Sequence, residues 1–139
     1  MDSRLRFVDK AFALLIGIDD YSAYDASTGK AKGTSDLAAG KNDVGACYRM
    51  CRALGIRPEN IRVLTSPKLT PADLEAAVKP MTPGYVGEAT NAEIQAQLAW
   101  LASSLEHAPG DADAPVGLLS YSGHGDFADG HLALCPTDV

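Results

Sequence analysis

Short, almost continuously apolar segments alternate along the chain with segments in which apolar residues recur at helical spacing. Phe12–Ile18, Ile61–Thr65 and Val116–Ser120 are of the first kind, which predicts strands, and the near-continuous run Phe12–Ile18 predicts a strand that is buried on both faces. The spacing is helical from about Leu37 to Leu54, and Asp36 stands where it can cap that helix. Strand, helix and strand in this order predict a βαβ unit with parallel strands and a right-handed crossover.

Proline, glycine and threonine mark the ends of the predicted helices. Gly55 ends the first helix, since glycine readily takes the left-handed conformation that follows a helix. Pro71 occupies the first position of a short helix that runs to about Lys79, and Thr90 or Asn91 caps a longer helix. The longer helix has an inward apolar stripe, made of Ile94, Leu98, Leu101 and Leu105.

Two remaining segments complete the predicted architecture. Pro80–Glu88 holds two prolines and two glycines, which predicts a surface loop. Asp129-Gly130 predicts a hairpin turn before His131–Leu134. The fold class is therefore α/β, a mostly parallel sheet of three strands and a small hairpin, with helices on both faces. Such a sheet is narrow and lacks a closing helix, so we expect the domain to be incomplete in this chain.

Composition and charge argue against several functional classes. The chain has 139 residues and a net charge of −6, and its 12 lysines and arginines are scattered, which disfavours nucleic-acid binding. No apolar run approaches the roughly 20 residues that span a bilayer, and the amino terminus does not resemble a signal peptide. We therefore expect a cytoplasmic protein that does not bind membranes. Cys47 and Cys51 fall on the apolar side of the first helix, so buried thiols are expected there rather than disulfides or a zinc site.

Residues with chemical potential follow the predicted strands at their carboxyl ends, where open α/β sheets bind ligands. Asp19-Asp20-Tyr21 follow the first strand, Asn42 and Asp43 begin the first helix, and Ser122-Gly123-His124 follow the third strand. An imidazole exchanges protons near neutral pH and serves as a general base or acid. The bare glycines on either side of it, at positions 123 and 125, would let a peptide backbone approach and let amides point at an oxyanion. A tight turn with an incidental histidine accounts for the same pattern.

The order of motifs resembles the caspase/metacaspase family of cysteine peptidases, and most closely its bacterial metacaspase-like branch. ALLIGIDDY, LAAGKNDV, IRVLT, LAWL, LLSYSGHGD and LALCPTD follow one another between about Phe12 and Asp138. The resemblance implies a caspase-like fold with His124 as the histidine of a Cys-His dyad. It also implies that the Gly125 amide forms part of the oxyanion hole.

The same resemblance implies cleavage after arginine or lysine. The positions that match the family's acidic pocket are Asp43 and Ser122, and Gly123 lies between the pocket and the histidine. Where the family often has glycine-cysteine before the NDV segment, this chain has Ala39-Gly40, so the depth of the pocket stays open.

The resemblance also implies where the nucleophile lies. In the family it is a cysteine at the end of the next strand, beyond Val139, whereas Cys135 matches a position with an ordinary hydrophobic residue. We therefore expect residues 1–139 to form the N-terminal portion of a single caspase-like domain. A complementary C-terminal fragment, produced by autoprocessing of one precursor or present as a second chain, would carry the nucleophilic cysteine. The 139 residues alone are expected to be inactive.

Other interpretations remain beside the peptidase. The chain could be a non-catalytic caspase-like scaffold or regulatory module that binds a partner protein, or, more remotely, a flavodoxin-like or receiver-like domain in which Asp19 and Asp20 follow the first strand. No cofactor or metal site is expected, although Asp126 and Asp129 have the oxygen ligands that calcium prefers. His107 and His131 are interpreted as surface groups, and Tyr121 as a packing residue. Asp19 and Asp20 either shape the substrate cleft or end a strand.

Overall fold

Nine helices and strands make up the described part of the chain. The structure is a computed structural model that describes residues 10–21, 39–76, 80–108 and 114–138. The first half contains β1 (Ala11–Ile18), α1 (Gly40–Ala53), β2 (Ile61–Ser66) and α2 (Pro71–Ala76). The second half contains β3 (Tyr85–Glu88), α3 (Asn91–Glu106), β4 (Val116–Ser122), β5 (Gly125–Ala128) and β6 (His131–Leu134).

The main sheet has four parallel strands in the order β3-β2-β1-β4, and β5 and β6 form a separate antiparallel hairpin. Leu15 on β1 lies opposite Val63 on one side and Ser120 on the other. β1 is almost entirely buried, as its near-continuous apolar sequence predicted, and β2 is buried to the same degree. Within the described ranges, β4 is paired only along the edge that faces β1.

Helices cover both faces of the sheet, which confirms the predicted α/β class with its caspase-like arrangement. Alternate residues of β1 point to opposite faces, because side chains alternate along a strand. Ala13 and Leu15 pack with the apolar face of α1, which includes Val44 and Cys51. On the other face, Leu14, Ile16 and Ile18 pack with Leu64 of β2 and Leu101 of α3.

The helix α1 lies unusually close to β1 at two glycines. A Cβ atom at Gly17 would collide with the carbonyl oxygen of Gly40 and lie 2.7 Å from Cγ2 of Val44. The buried carboxylate of Asp19 accepts hydrogen bonds from the amides of Gly40 (2.7 Å) and Lys41 (3.2 Å). The helix is therefore capped by Asp19, which directly follows β1. It begins at Gly40 rather than at about Leu37. The cap proposed from the sequence, Asp36, lies outside the described residues.

Two sequence-based predictions about the second half are wrong. The predicted surface loop Pro80–Glu88 ends in β3, which pairs in parallel with β2, so the sheet has four parallel strands rather than three. β3 has four residues and borders β2 on one side only, which is too short a segment to give a periodic signal. Leu98 in the predicted stripe of α3 is 38% exposed and Gln97 is buried in its place, whereas Leu101 of the same stripe is buried as predicted.

Other local predictions are confirmed. The side chain of Thr90 caps α3 by accepting a hydrogen bond from the amide of Glu93, and Gly55 has φ 88° after α1. Asp129 and Gly130 have φ 53° and 76°, which is the left-handed pair of a type I′ hairpin turn. The predicted end of α2 near residue 79 lies outside the described residues. Within those residues, no helix has the combined length and apolarity that crossing a bilayer requires.

Two glycine substitutions should change stability in opposite directions. Gly17→Ala should lower the free energy of unfolding by about 1–3 kcal/mol, because the added methyl group overlaps α1. Gly45→Ala should raise it by about 0.5–1 kcal/mol, because its nearest neighbour is the flexible end of Arg49 at 3.4 Å and alanine favours the helix. Urea unfolding followed by circular dichroism measures both, and a Gly17→Ala protein of unchanged stability would contradict the close packing.

Candidate active site

The carboxyl ends of the parallel strands form one edge of the sheet, and the site residues expected from the sequence lie along it. β1 leads into Asp19 and Tyr21, and β4 leads into Gly123 and His124. The first turn of α1 brings Asp43 to the same edge. Parallel pairing is the cause, since it aligns the carboxyl ends of strands that are far apart in sequence.

His124 is half-buried, and its main chain is bound on both sides. Its amide donates a hydrogen bond to the hydroxyl oxygen of Tyr21 (2.5 Å), and its carbonyl accepts from the hydroxyl of Tyr121 (2.6 Å) and the amide of Cys135 (3.0 Å). The ring of Tyr21 lies against the imidazole, with 4.6 Å between centroids and a tilt of 56°. The interpretation of Tyr121 as a packing residue is therefore incomplete, because its hydroxyl also binds the carbonyl of Cys135 at 2.9 Å.

The two glycines beside the histidine have different surroundings. A Cβ atom at Gly123 would lie 2.6 Å from the hydroxyl oxygen of Tyr21 and 2.7 Å from that of Tyr121. Glycine at this position thus leaves room for the two hydroxyls. Gly125 is exposed and begins β5, where a Cβ atom would lie 3.2 Å from the side chain of Leu132. Position 125 is consequently the more open of the two.

Asp43 and Ser122, matched to a substrate pocket by the resemblance, are in direct contact. The hydroxyl of Ser122 donates a hydrogen bond to Oδ2 of Asp43 at 2.5 Å. Asp43 is exposed, so its carboxylate is accessible to a cationic group in solution. Asp19 differs, since its carboxylate is buried and used to cap α1, which favours a structural role over shaping the cleft.

The three cysteines, all in the described ranges, are free thiols in different environments. Cys51 is fully buried on the inner face of α1. Its burial is the main cause, and the neighbouring Cys47 the second, that raises the pKa of its thiol to about 11. Cys47 is half-buried, with its sulfur 3.3 Å from the hydroxyl oxygen of Ser120. Cys135 is half-buried and packs against the apolar cluster on the α3 side. The prediction of buried thiols on α1 is confirmed for Cys51 and holds in part for Cys47.

The segment after the hairpin, which contains Thr137 and Asp138, is hydrogen-bonded at the carboxyl edge of the sheet. Thr137 is buried, and its hydroxyl bonds to the carbonyl of Asp20 (2.7 Å) and the hydroxyl of Ser66 (2.8 Å). Oδ1 of Asp138 accepts a hydrogen bond from the amide of Asn91 at 2.7 Å, at the start of α3. Sequence reasoning noted this segment as part of a motif but missed these contacts.

The remaining candidates lie away from these contacts. His107 and His131 are exposed, as predicted for surface groups. Asp129 is exposed in the hairpin turn, and the side chain of Asp126 lies outside the described part of the structure. No group of three or more His, Cys, Asp or Glu side chains that could hold a metal occurs among the described residues.

A parallel sheet flanked by helices, with a histidine and an acidic residue beside a hydroxyl at its carboxyl edge, defines an α/β protein of the caspase-like class. The caspase-domain family, peptidase C14, matches residues 10–138 of the chain. The chain therefore belongs to the caspase-domain family of cysteine peptidases. Neither a curated protein nor a solved structure gives a significant match.

The raised pKa of Cys51 predicts a specific dependence of stability on pH. The buried thiol ionises near pH 11 rather than at its ordinary 9.0, so the unfolded chain loses its proton first. The contribution of Cys51 to stability is complete below pH 9 and declines as the pH rises towards 11. Relative to Cys51→Ala, the wild type should lose about 1 kcal/mol of unfolding free energy from about pH 8.5 to about pH 10. Denaturant titrations at each pH measure the difference, and a constant difference would contradict the shift.

Proposed function

We propose that the chain is the histidine-bearing part of a caspase-type cysteine endopeptidase that cleaves after arginine or lysine. The observation that carries this proposal is that His124 lies at the same edge of a caspase-domain sheet as the hydrogen-bonded pair Asp43 and Ser122. A proton-transfer group and an exposed carboxylate at one sheet edge suit a peptidase that recognises a cationic side chain. The reaction requires no cofactor.

The chemistry assigned to this chain centres on His124. A cysteine thiolate attacks the scissile carbonyl carbon, and the C–N bond breaks as the imidazolium of His124 protonates the leaving amine. The imidazole then takes a proton from the water that attacks the thioester, and the C–S bond breaks, which releases the acid and restores the thiolate and the imidazolium. The amide of Gly125, at the open side of the histidine turn, would stabilise the negative charge on the carbonyl oxygen during both attacks.

Asp43 is proposed as the residue that recognises the basic side chain before the cleaved bond. A carboxylate binds a guanidinium through two parallel hydrogen bonds and an ammonium through one, with charge assistance in both cases. The hydroxyl of Ser122 holds Oδ2 of Asp43 and thereby fixes the direction of the carboxylate. Gly123 is proposed to contact the substrate through its main chain, since the hydroxyls of Tyr21 and Tyr121 occupy the space of its side chain.

The nucleophile is proposed to come from a complementary C-terminal polypeptide. Burial keeps Cys51 protonated, and Cys47 lies on the inner face of α1 beside Ser120. A thiolate nucleophile instead requires an exposed site that favours negative charge. Cys135 is half-buried against the α3-side core and is held by the hairpin.

The edge of β4 that faces away from β1 is proposed as the docking place of that polypeptide. Two apolar side chains of this strand, Val116 and Leu119, are 40% and 50% exposed. Beside them lies an apolar pocket of about 180 Å³, lined by Ala11, Leu54, Ile56, Val116 and Leu118. A further strand with apolar side chains would pair with the main chain of β4 and cover these residues.

The first test removes the imidazole. In the protein together with the segment that supplies the thiol, His124→Ala should lower kcat for an arginine-ended fluorogenic peptide by at least about 1,000-fold, with the fold unchanged by circular dichroism. His131→Ala, in the neighbouring hairpin turn, is the matched control and should leave kcat within about two-fold of wild type. Turnover that survives in the His124 variant would reject the mechanism. An inactive wild type with an accessible thiol would favour the scaffold interpretation.

The second test concerns specificity. Asp43→Asn keeps the shape of the side chain and the contact with Ser122 but removes the charge, so kcat/KM for arginine substrates should fall by about 10- to 100-fold. Substrates with a neutral residue at that position should be cleaved at nearly their original rate. Glu106→Gln, an equal charge change at the far end of α3, controls for net charge. Equal losses for arginine and neutral substrates would assign Asp43 to structure instead.

A further inference from the structure

The two tyrosine hydroxyls behind Gly123 satisfy the main-chain polar groups of His124. The hydroxyl oxygen of Tyr21 accepts the His124 amide at 2.5 Å, and the hydroxyl of Tyr121 donates to the His124 carbonyl at 2.6 Å. Both hydroxyls border the side-chain position of Gly123, where a Cβ atom would lie 2.6 Å from that of Tyr21 and 2.7 Å from that of Tyr121. Tyr21 follows β1 and Tyr121 belongs to β4, so the histidine turn is attached to two neighbouring strands at once.

The directions of these hydrogen bonds can be assigned from the donors available. Tyr121 has one hydroxyl proton, which points to the main-chain carbonyls of His124 and Cys135. The result is a tyrosine circuit around the main chain of His124: its amide donates to the hydroxyl oxygen of Tyr21, and its carbonyl accepts from the hydroxyl of Tyr121.

We infer that Tyr21 and Tyr121 are positioning residues for His124, and that Gly123 is glycine because the two hydroxyls occupy the space of its side chain. This inference rests on the proposed function of His124 as the proton-transfer group. The circuit fixes the main chain on either side of the histidine Cα atom, and the ring of Tyr21 at 4.6 Å limits the rotation of the imidazole. Such support matters because a displacement of about 1 Å at a catalytic group can reduce the rate about 100-fold.

Packing alone does not account for these tyrosines. Phenylalanine would fill the same apolar space, whereas buried tyrosine hydroxyls are retained where they find partners. Tyr21 is only 1% exposed, yet its hydroxyl meets a main-chain amide 103 positions away in sequence. Burial raises the pKa of Tyr121 far above its ordinary value. Tyr121 therefore keeps the proton that the circuit needs throughout the neutral pH range.

Conservative substitutions in the full-length protein test the inference. Tyr21→Phe and Tyr121→Phe remove one hydroxyl each and keep the rings, and each should lower kcat for an arginine-ended peptide by about 10- to 100-fold with KM within about two-fold. The double variant should lose little more than either single one, because both act through one circuit. Tyr48→Phe is the matched control. This tyrosine of α1 is also buried, and its hydroxyl oxygen accepts a hydrogen bond from the amide of Thr82 at 3.1 Å. It should keep wild-type kcat.

Amide hydrogen exchange supplies a second readout that does not need turnover. The His124 amide should exchange at least about 10-fold faster in Tyr21→Phe than in wild type or in Tyr48→Phe. Unchanged protection of His124, or a kcat loss no larger than that of Tyr48→Phe, overturns the inference. If wild type has no peptidase activity, the proposed function fails. The exchange result then still shows whether the circuit exists. Faster exchange of the His124 amide in Tyr21→Phe would then mean that the tyrosines hold the histidine turn without a role in catalysis.

Discussion

The contact between β1 and α1 at Gly17 and Gly40 determines where the candidate site lies. The two backbones approach so closely that neither position tolerates a side chain, and the buried carboxylate of Asp19 joins them by binding the first amides of the helix. A carboxylate at a helix N-terminus is favourable for the helix dipole as well as for the free amides. With the helix start fixed, Asp43 falls one turn later, within reach of Ser122 on β4.

This contact also explains a departure from the family pattern. The family often has cysteine where this chain has Gly40, which left the depth of the pocket open. A Cβ atom at position 40 would lie 2.9 Å from Oδ1 of Asp19 and 2.9 Å from the amide nitrogen of Ile18. In this chain, α1 packs so closely on β1 that no space is left for a side chain at position 40. Recognition of a cationic substrate would then depend on Asp43 and Ser122 rather than on a residue at position 40.

Features that depend on neighbouring residues could be predicted from the sequence, whereas contacts between residues far apart along the chain could not. β1, β2, β4, the glycine after α1 and the turn at Asp129-Gly130 are set by neighbouring residues, so their patterns are visible in the sequence. The Asp19 cap spans 21 positions and the Tyr21 contact spans 103, and no local pattern encodes either. β3 was missed because an edge strand of four residues gains its structure from pairing with β2 rather than from its own periodicity.

The alternation of side chains along β4 separates two tasks that meet at its end. Ser122 points to the α1 face, where it binds Asp43, whereas Tyr121 points to the α3 face, where it binds the main chain of His124. Gly123 follows the end of β4, and the imidazole of His124 lies against the ring of Tyr21. The proposed recognition of the substrate and the inferred positioning of the histidine would therefore use adjacent residues of one strand from opposite faces, so a change in one need not displace the other. Under the proposed function, this single strand would hold a cationic side chain and the bond to be cleaved at a fixed distance.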